Sequence, residues 1–138
     1  MARRDYYHNT VRLALEKDGW TITHEPMVLP FASTKLEVDL AGEKLVAEKG
    51  MVKIAVEVKN FLGNTMNVSE LQKSYGQFVL YRTILSTAEP GRKVYLAVTE
   101  QAYQTVFSDA VVQKMLAESN VNLVIFDPTS ETIVAWKH

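Results

Sequence analysis

Residues 36–60, LEVDLAGEKLVAEKGMVKIAVEVKN, decide the fold of this chain. Residues 36–40 alternate apolar and acidic side chains, which predicts a strand with its apolar residues on one face and its two acids on the other. Residues 45–48 and 52–59 flank a short connection that contains Gly50, and this arrangement predicts a β-hairpin. Three neighbouring strands are therefore expected at the centre of the domain.

The flanking segments predict helices and further strands. Before the hairpin, apolar spacing predicts a helix over residues 5–17 and a short strand over residues 20–24. Pro26 and Pro30 predict a loop that runs to about Thr34, because proline cannot donate to a strand ladder.

After the hairpin, residues 60–67 are expected to form a loop. Ser69 and Gln72 match a capping box, with Ser69 as the N-cap of a helix that ends near Thr87. The remaining elements are predicted to be a strand over residues 94–98, helical segments over 100–107 and 110–119, and strands over 121–126 and 132–136. Together these elements indicate one α/β domain over residues 1–138.

Composition narrows the class of protein. The 138 residues are 47% hydrophobic and 22% charged, as in a soluble globular domain, and there is no cysteine for a disulfide, a thiolate metal site or a cysteine nucleophile. No secretory signal and no apolar run of about 20 residues is present, so we expect a cytoplasmic protein without a membrane partner. The net charge of −1 does not indicate nucleic-acid binding. A role on DNA would therefore need a local positively charged patch, metal ions or a partner protein.

Three side chains are expected to form one reactive cluster. Glu57 and Lys59 point the same way from their strand, and Asp39 approaches Glu57 if its strand pairs beside the hairpin. Two carboxylates are hard ligands for Mg²⁺ or Mn²⁺, and the Val58 backbone carbonyl is a further candidate ligand. Lys59 would orient the attacking water or stabilise charge on a phosphate. An isolated Glu-x-Lys is more often a charged strand face, so the prediction depends on this context.

The segment over residues 5–98 resembles the PD-(D/E)XK nuclease superfamily, whose core is αβββαβ. The resemblance implies a restriction-endonuclease-like fold, followed here by a C-terminal helix and strand pair. It also implies that Asp39, Glu57 and Lys59 bind a metal and activate water. Val38 stands at the usual proline position of the motif.

The whole chain resembles one family more closely. The resemblance is carried by LEKDGWTITHEP, EVDLAGEKLVAEKG, KIAVEVKNFLG, YGQFVLYR and VNLVIFDPTSETIVAW. These motifs are similar to those of XisH, the excision controlling factors of the fdxN element in heterocyst-forming cyanobacteria. That likeness implies a role in DNA recombination beside a site-specific recombinase, with a small XisI-type protein as partner.

Two further residues are candidates. His8 occupies the slot in which several of these nucleases place a first-helix acid, so it is either a metal ligand or proton shuttle, or a histidine packed beside the sheet, and packing is the favoured reading. Gln77 follows Glu-x-Lys on the next helix, where related nucleases place a phosphate-contacting glutamine.

The sequence therefore predicts a Mg²⁺-dependent, endonuclease-like factor that assists DNA excision. The alternative is a catalytically inactive module of the same fold that regulates excision by binding XisI or the recombinase. The predicted edge strand over residues 132–136 is the candidate surface for a homodimer.

Overall fold

A mixed sheet organises the domain. The computed structural model describes residues 6–61 and 66–138. The helices are α1 (His8–Lys17), α2 (Val68–Ala88), α3 (Glu100–Ala102), which continues into a π-helical turn (Tyr103–Phe107), and α4 (Ala110–Glu118). The strands are β1 (Thr21–His24), β2 (Met27–Phe31), β3 (Thr34–Val38), β4 (Leu40–Val46), β5 (Gly50–Val58), β6 (Arg92–Thr99), β7 (Leu123–Asp127) and β8 (Thr132–Lys137).

Six strands form the main sheet in the order β1-β4-β5-β6-β7-β8. The central strands β5, β6 and β7 are parallel, while β1, β4 and β8 pair with their neighbours in antiparallel fashion. The remaining strands, β2 and β3, form a separate antiparallel ribbon. Parallel strands require crossover connections, and α2 and the α3–α4 segment supply them.

Helices cover both faces of the sheet. On one face, called the α1 face here, Val11 and Leu15 pack with Leu40 and Val56. On the other face, called the α2 face, α2, α4 and the inner side of the β2–β3 ribbon pack against the sheet. Phe78 is fully buried in the hydrophobic core between them. The result is a three-layer α/β domain, in agreement with the predicted class.

The predicted central hairpin is confirmed, but the predicted strand before it is wrong. β4 pairs with β5 from Leu40 opposite Val56 to Val46 opposite Gly50. The chain bends at Asp39, however, so residues 36–40 are not one strand. Val38 packs on the α2 face and Leu40 on the α1 face, because β3 pairs with β2 and only β4 joins the main sheet.

The predicted loop over residues 26–34 is also wrong. Met27–Phe31 is strand β2, and Pro30 lies opposite Lys35 of β3. Each strand of a two-stranded ribbon keeps one unpaired edge, where the missing proline N–H costs no ladder hydrogen bond. The proline rule excludes a central strand but permits this position.

The N-cap of α2 differs from the prediction. The helix begins at Val68, and the Asn67 side chain accepts a hydrogen bond from the Glu70 backbone N–H at 2.9 Å. Ser69 therefore lies inside the first turn. Asparagine caps helices as well as serine does.

The other predicted elements are confirmed with small shifts at their ends. The helical segments after β6 break around Ser108, as predicted, and β8 closes the sheet. The first helix was predicted to begin at residue 5, and a loop was predicted over residues 60–67. Residue 5 and residues 62–65 lie outside the described residues. No helix in the described part of the chain has the length and apolar character that a membrane span requires.

Candidate functional site

Two hydrogen bonds hold Asp39 at the start of β4, one to Glu57 and one from Val58. The Asp39 backbone N–H donates to Glu57 Oε1 at 3.2 Å, and the Val58 backbone N–H donates to Asp39 Oδ2 at 2.8 Å. This arrangement follows from the register, because Leu40 lies opposite Val56 and the preceding residue therefore reaches Glu57. The bend at Asp39 brings the two carboxylates to the same end of the sheet.

Lys59 completes the group on the α2 face. Its Nζ lies 3.5 Å from Glu57 Oε2 and also donates to the side-chain oxygen of Gln77. Glu57 and Lys59 are only 6% and 5% exposed, so the ion pair is buried. A buried pair is weakly screened by solvent, and each charge depends on its partners. The structure thus brings together Asp39, Glu57, Lys59 and Gln77.

Tyr81 is a residue of this site that the sequence analysis did not single out. Its hydroxyl donates to the Glu37 backbone carbonyl at 3.3 Å. Burial raises the pKa of the Tyr81 hydroxyl, and the negative charges of Glu57, Asp39 and Glu37 raise it further. The available signal was its spacing, because a residue four positions after Gln77 lies on the same side of a helix.

His8 lies in a different arrangement. It is 4% exposed, and its Nε2 is 2.6 Å from Glu25 Oε2, which also lies 3.7 Å from Arg12 Nε. Within the described part of the chain, no hydrogen bond or ion pair joins His8 to Asp39 or Glu57, and the buried His8 Nδ1 has no hydrogen-bond partner. The structure therefore places His8 beside Glu25 on the α1 face.

The donor set near Asp39 is a pair of carboxylates. Among residues 6–61 and 66–138, no group of three or more His, Cys, Asp or Glu side chains could hold a metal ion. Mg²⁺ is commonly held by one or two carboxylates and keeps several water ligands, so a pair of acids fits that mode of binding.

Comparison with known proteins identifies the family. The sequence model described as XisH protein matches residues 1–134. The chain belongs to the XisH family. Among curated proteins, no match to the chain is found.

Two solved structures of XisH relatives are similar over nearly the whole chain. One is an XisH family protein from Nostoc punctiforme PCC 73102, with 39% identity and a TM-score of 0.86, and the match covers 97% of this chain and 100% of that one. The other is an fdxN element excision controlling factor protein from Anabaena variabilis, with 37% identity, a TM-score of 0.87 and coverage of 98% and 100%. The predicted family is confirmed, while the relation to PD-(D/E)XK nucleases stays a prediction.

Proposed function

We propose that this XisH-family protein is a metal-dependent, endonuclease-like factor that assists the excision of a DNA element. The observation that carries the proposal is the meeting of Asp39, Glu57 and Lys59 at one end of the sheet, where each carboxylate accepts a backbone N–H, that of Glu57 from Asp39 and that of Asp39 from Val58. Two acids and an amine are the groups that hydrolysis of a phosphodiester needs beside a divalent ion.

The carboxylates of Asp39 and Glu57, with the backbone carbonyl of Val58, would hold the ion. Mg²⁺ or Mn²⁺ bound there supplies a Lewis acid that lowers the pKa of water and offsets the charge of a phosphate. The hydrogen bond from the Val58 N–H orients the Asp39 carboxylate, and the Asp39 N–H orients that of Glu57. The protein thus fixes both ligands in advance, which avoids reorganisation on binding.

Lys59 would act on the phosphate. Its ammonium is held on one side by Glu57 and on the other by Gln77, so its position is set before a substrate arrives. A fixed cation in a buried site stabilises negative charge that develops on a phosphate much more than a solvated lysine does. Gln77 is proposed to position Lys59 and to contact the phosphate edge.

A relative supports the choice of DNA as substrate. The similar protein from Anabaena variabilis is described as an fdxN element excision controlling factor. A site-specific recombinase and an XisI-type protein are the proposed partners, since a factor that controls excision would act beside the enzyme that joins the DNA ends.

A plasmid-nicking assay tests the proposal. We expect the purified protein to convert supercoiled plasmid to the open circle with Mg²⁺ or Mn²⁺, alone or with an XisI-type protein, and to lose this activity in EDTA. Asp39→Asn and Lys59→Gln should abolish nicking, whereas Lys114→Gln, an exposed change on α4, should not. No nicking by the wild type under any of these conditions would reject the catalytic function.

One observation favours a second candidate, a catalytically inactive regulatory module. Glu57 and Lys59 are almost fully buried and already bonded to each other, which is a common way to stabilise a charge pair in a core. In this case the module would control excision by contact with XisI or the recombinase. An excision assay in cells separates the nuclease from the binding module. Asp39→Asn would leave excision intact only if the protein acts by binding its partner and not by cleaving DNA.

A further inference from the structure

A cavity lies on the α1 face, away from the acid cluster. It has a volume of about 350 Å³. Trp20, Tyr95 and Trp136 line it together with Val52 and Ile54 near the start of β5. The acid cluster is on the α2 face at the other end of the same strand, so the cavity belongs to a different surface.

The floor of this cavity presents aromatic rings whose polar groups are already bonded. Trp136 contacts Trp20 and Tyr95, with ring centroids 5.6 Å and 5.0 Å apart. The Trp20 indole N–H donates to Asp18 at 3.1 Å, and the Tyr95 hydroxyl lies 2.9 Å from His138 Nδ1. Trp20 and Tyr95 are only 9% and 3% exposed, and Lys44 Nζ lies 5.7 Å from the Trp20 ring centroid, so the half-buried Trp136 offers most of the accessible ring surface.

The rim of the cavity is positively charged. Lys44, Lys49 and Lys93 line it, and Asp18 is the one acid among the described residues that does so. Lys44 is engaged, because its Nζ donates to the Asp18 carbonyl at 2.5 Å and lies 3.8 Å from the Asp18 carboxylate. The other two lysines are exposed and form no hydrogen bond or ion pair through their side chains within the described residues.

We infer that this cavity, with Trp20, Tyr95 and Trp136 as its floor and Lys49 and Lys93 on its rim, binds single-stranded nucleic acid. A base packs on the half-buried Trp136 ring at the floor, and the flanking phosphates contact the two lysines. Stacking on aromatic rings together with backbone phosphate contacts is how sequence-tolerant single-strand binding works. The near-neutral net charge does not oppose this, because the positive charge is local.

An acidic peptide fits the same cavity less well. A peptide brings backbone N–H and C=O groups that need partners when they are buried. At the floor of the cavity, β5 is paired with β4 on one side and with β6 on the other, so a peptide backbone buried there would find few free partners. A base and its phosphates need only ring surface and cations.

The two tryptophans make the inference directly testable. The chain has 2 tryptophans, and both line the cavity, so intrinsic fluorescence reports on this surface. Binding of an oligothymidylate is measured in EDTA at low salt, where the acid cluster without a metal repels phosphate. We expect the oligonucleotide to quench the fluorescence, with log affinity falling against log salt by about 0.7 for each phosphate contacted.

Charge reversal at the rim is the decisive variant. The double variant Lys49→Glu/Lys93→Glu should weaken binding about tenfold or more, and the exposed Lys114→Glu on α4 should change it by about twofold at most. Asp39→Asn should bind like the wild type, so that failure of the nuclease proposal and failure of this one are distinguishable. The changed lysines are exposed, and circular dichroism verifies that each variant is folded.

Three results would overturn the inference. One is the absence of both fluorescence quenching and anisotropy change with a labelled oligonucleotide. Another is an equal loss of binding in Lys114→Glu, which would indicate attraction to the surface as a whole. The third is quenching by an acidic peptide but not by the oligonucleotide, which would identify the cavity as a protein-docking site.

Discussion

The Glu57 carboxylate accepts the backbone N–H of Asp39 at 3.2 Å, so one candidate metal ligand holds the backbone that carries the other. In return, the Asp39 carboxylate accepts the N–H that follows Glu57 in the chain at 2.8 Å. Each carboxylate is therefore held by a backbone N–H of the segment that carries the other. Substitution of either residue should affect the geometry of both, and the consequences can be measured separately for metal binding and for stability.

Metal affinity should depend on Asp39. Asp39→Asn removes one negative charge and one hard ligand while keeping a side-chain oxygen that can accept the Val58 N–H. We expect the affinity for Mn²⁺, measured by isothermal titration calorimetry, to fall at least tenfold, or about 1.4 kcal/mol. Glu118→Gln, an exposed change on α4, is the matched control. Equal Mn²⁺ affinity in Asp39→Asn and the wild type would remove this residue from the site.

Stability should depend on the pairing of Lys59 with Glu57. Lys59→Met keeps the length of the side chain but removes the ammonium that lies 3.5 Å from the buried Glu57 carboxylate. Loss of one member of a buried pair costs about 3–5 kcal/mol. Urea unfolding of Lys59→Met, Glu57→Gln and the double variant forms a double-mutant cycle. We expect a coupling energy of about 1–3 kcal/mol, and simple additivity would contradict an energetically important pair.

Stability at alkaline pH should depend on Tyr81. Its pKa in the folded protein is raised above the usual value of 10.0, so folding favours the neutral hydroxyl. The stabilisation that the neutral Tyr81 hydroxyl gives the folded protein is fully present below about pH 10. It is lost as the pH rises toward the folded pKa, and the free energy of unfolding then falls by about 1.4 kcal/mol per pH unit. Tyr81→Phe should remove this part of the dependence of the unfolding free energy on pH.

Urea unfolding at about pH 8 and about pH 11 measures this difference. At the lower pH, Tyr81→Phe should cost about 0.5–1.5 kcal/mol through the lost hydrogen bond to Glu37. Tyr95, whose pKa is raised by burial, remains in the variant, so some alkaline destabilisation will persist. Tyr6→Phe, at an exposed position, serves as the control. Parallel pH profiles of Tyr81→Phe and the wild type would contradict the assignment.

The N-cap of α2 can be tested with two adjacent alanine substitutions. Asn67→Ala removes the acceptor of the Glu70 N–H and should lower the free energy of unfolding by about 1 kcal/mol. Ser69→Ala should have an effect within about 0.5 kcal/mol, because it lies in the first turn and is exposed. The reverse order of the two effects would return the N-cap to Ser69.

Local sequence patterns predicted the features that depend on a single hairpin or strand. The β4–β5 hairpin follows from its two apolar arms and Gly50, whose φ of 78° is a conformation that glycine adopts without strain. The shared face of Glu57 and Lys59 follows from the two-residue period of a strand. These features depend on neighbours in sequence, and the sequence therefore predicted them.

Pairing between distant segments was beyond local patterns. An alternating sequence such as residues 36–40 is the same whether the segment forms one strand in one sheet or bends between two strands in different sheets. Only the tertiary structure decided that β3 pairs with β2 and that the chain bends at Asp39. The same holds for the contact of His8 with Glu25, since the two residues are brought together by the packing of α1.

The sequence by itself determined the α/β pattern, the central hairpin and the residue types available for chemistry. The tertiary structure decided which of these side chains meet: Asp39 with Glu57, and Lys59 with Gln77. The physical reason is that hydrophobic periodicity fixes which face of an element is buried, whereas strand register and helix packing fix its neighbours. Those neighbours exist only when the whole core is assembled.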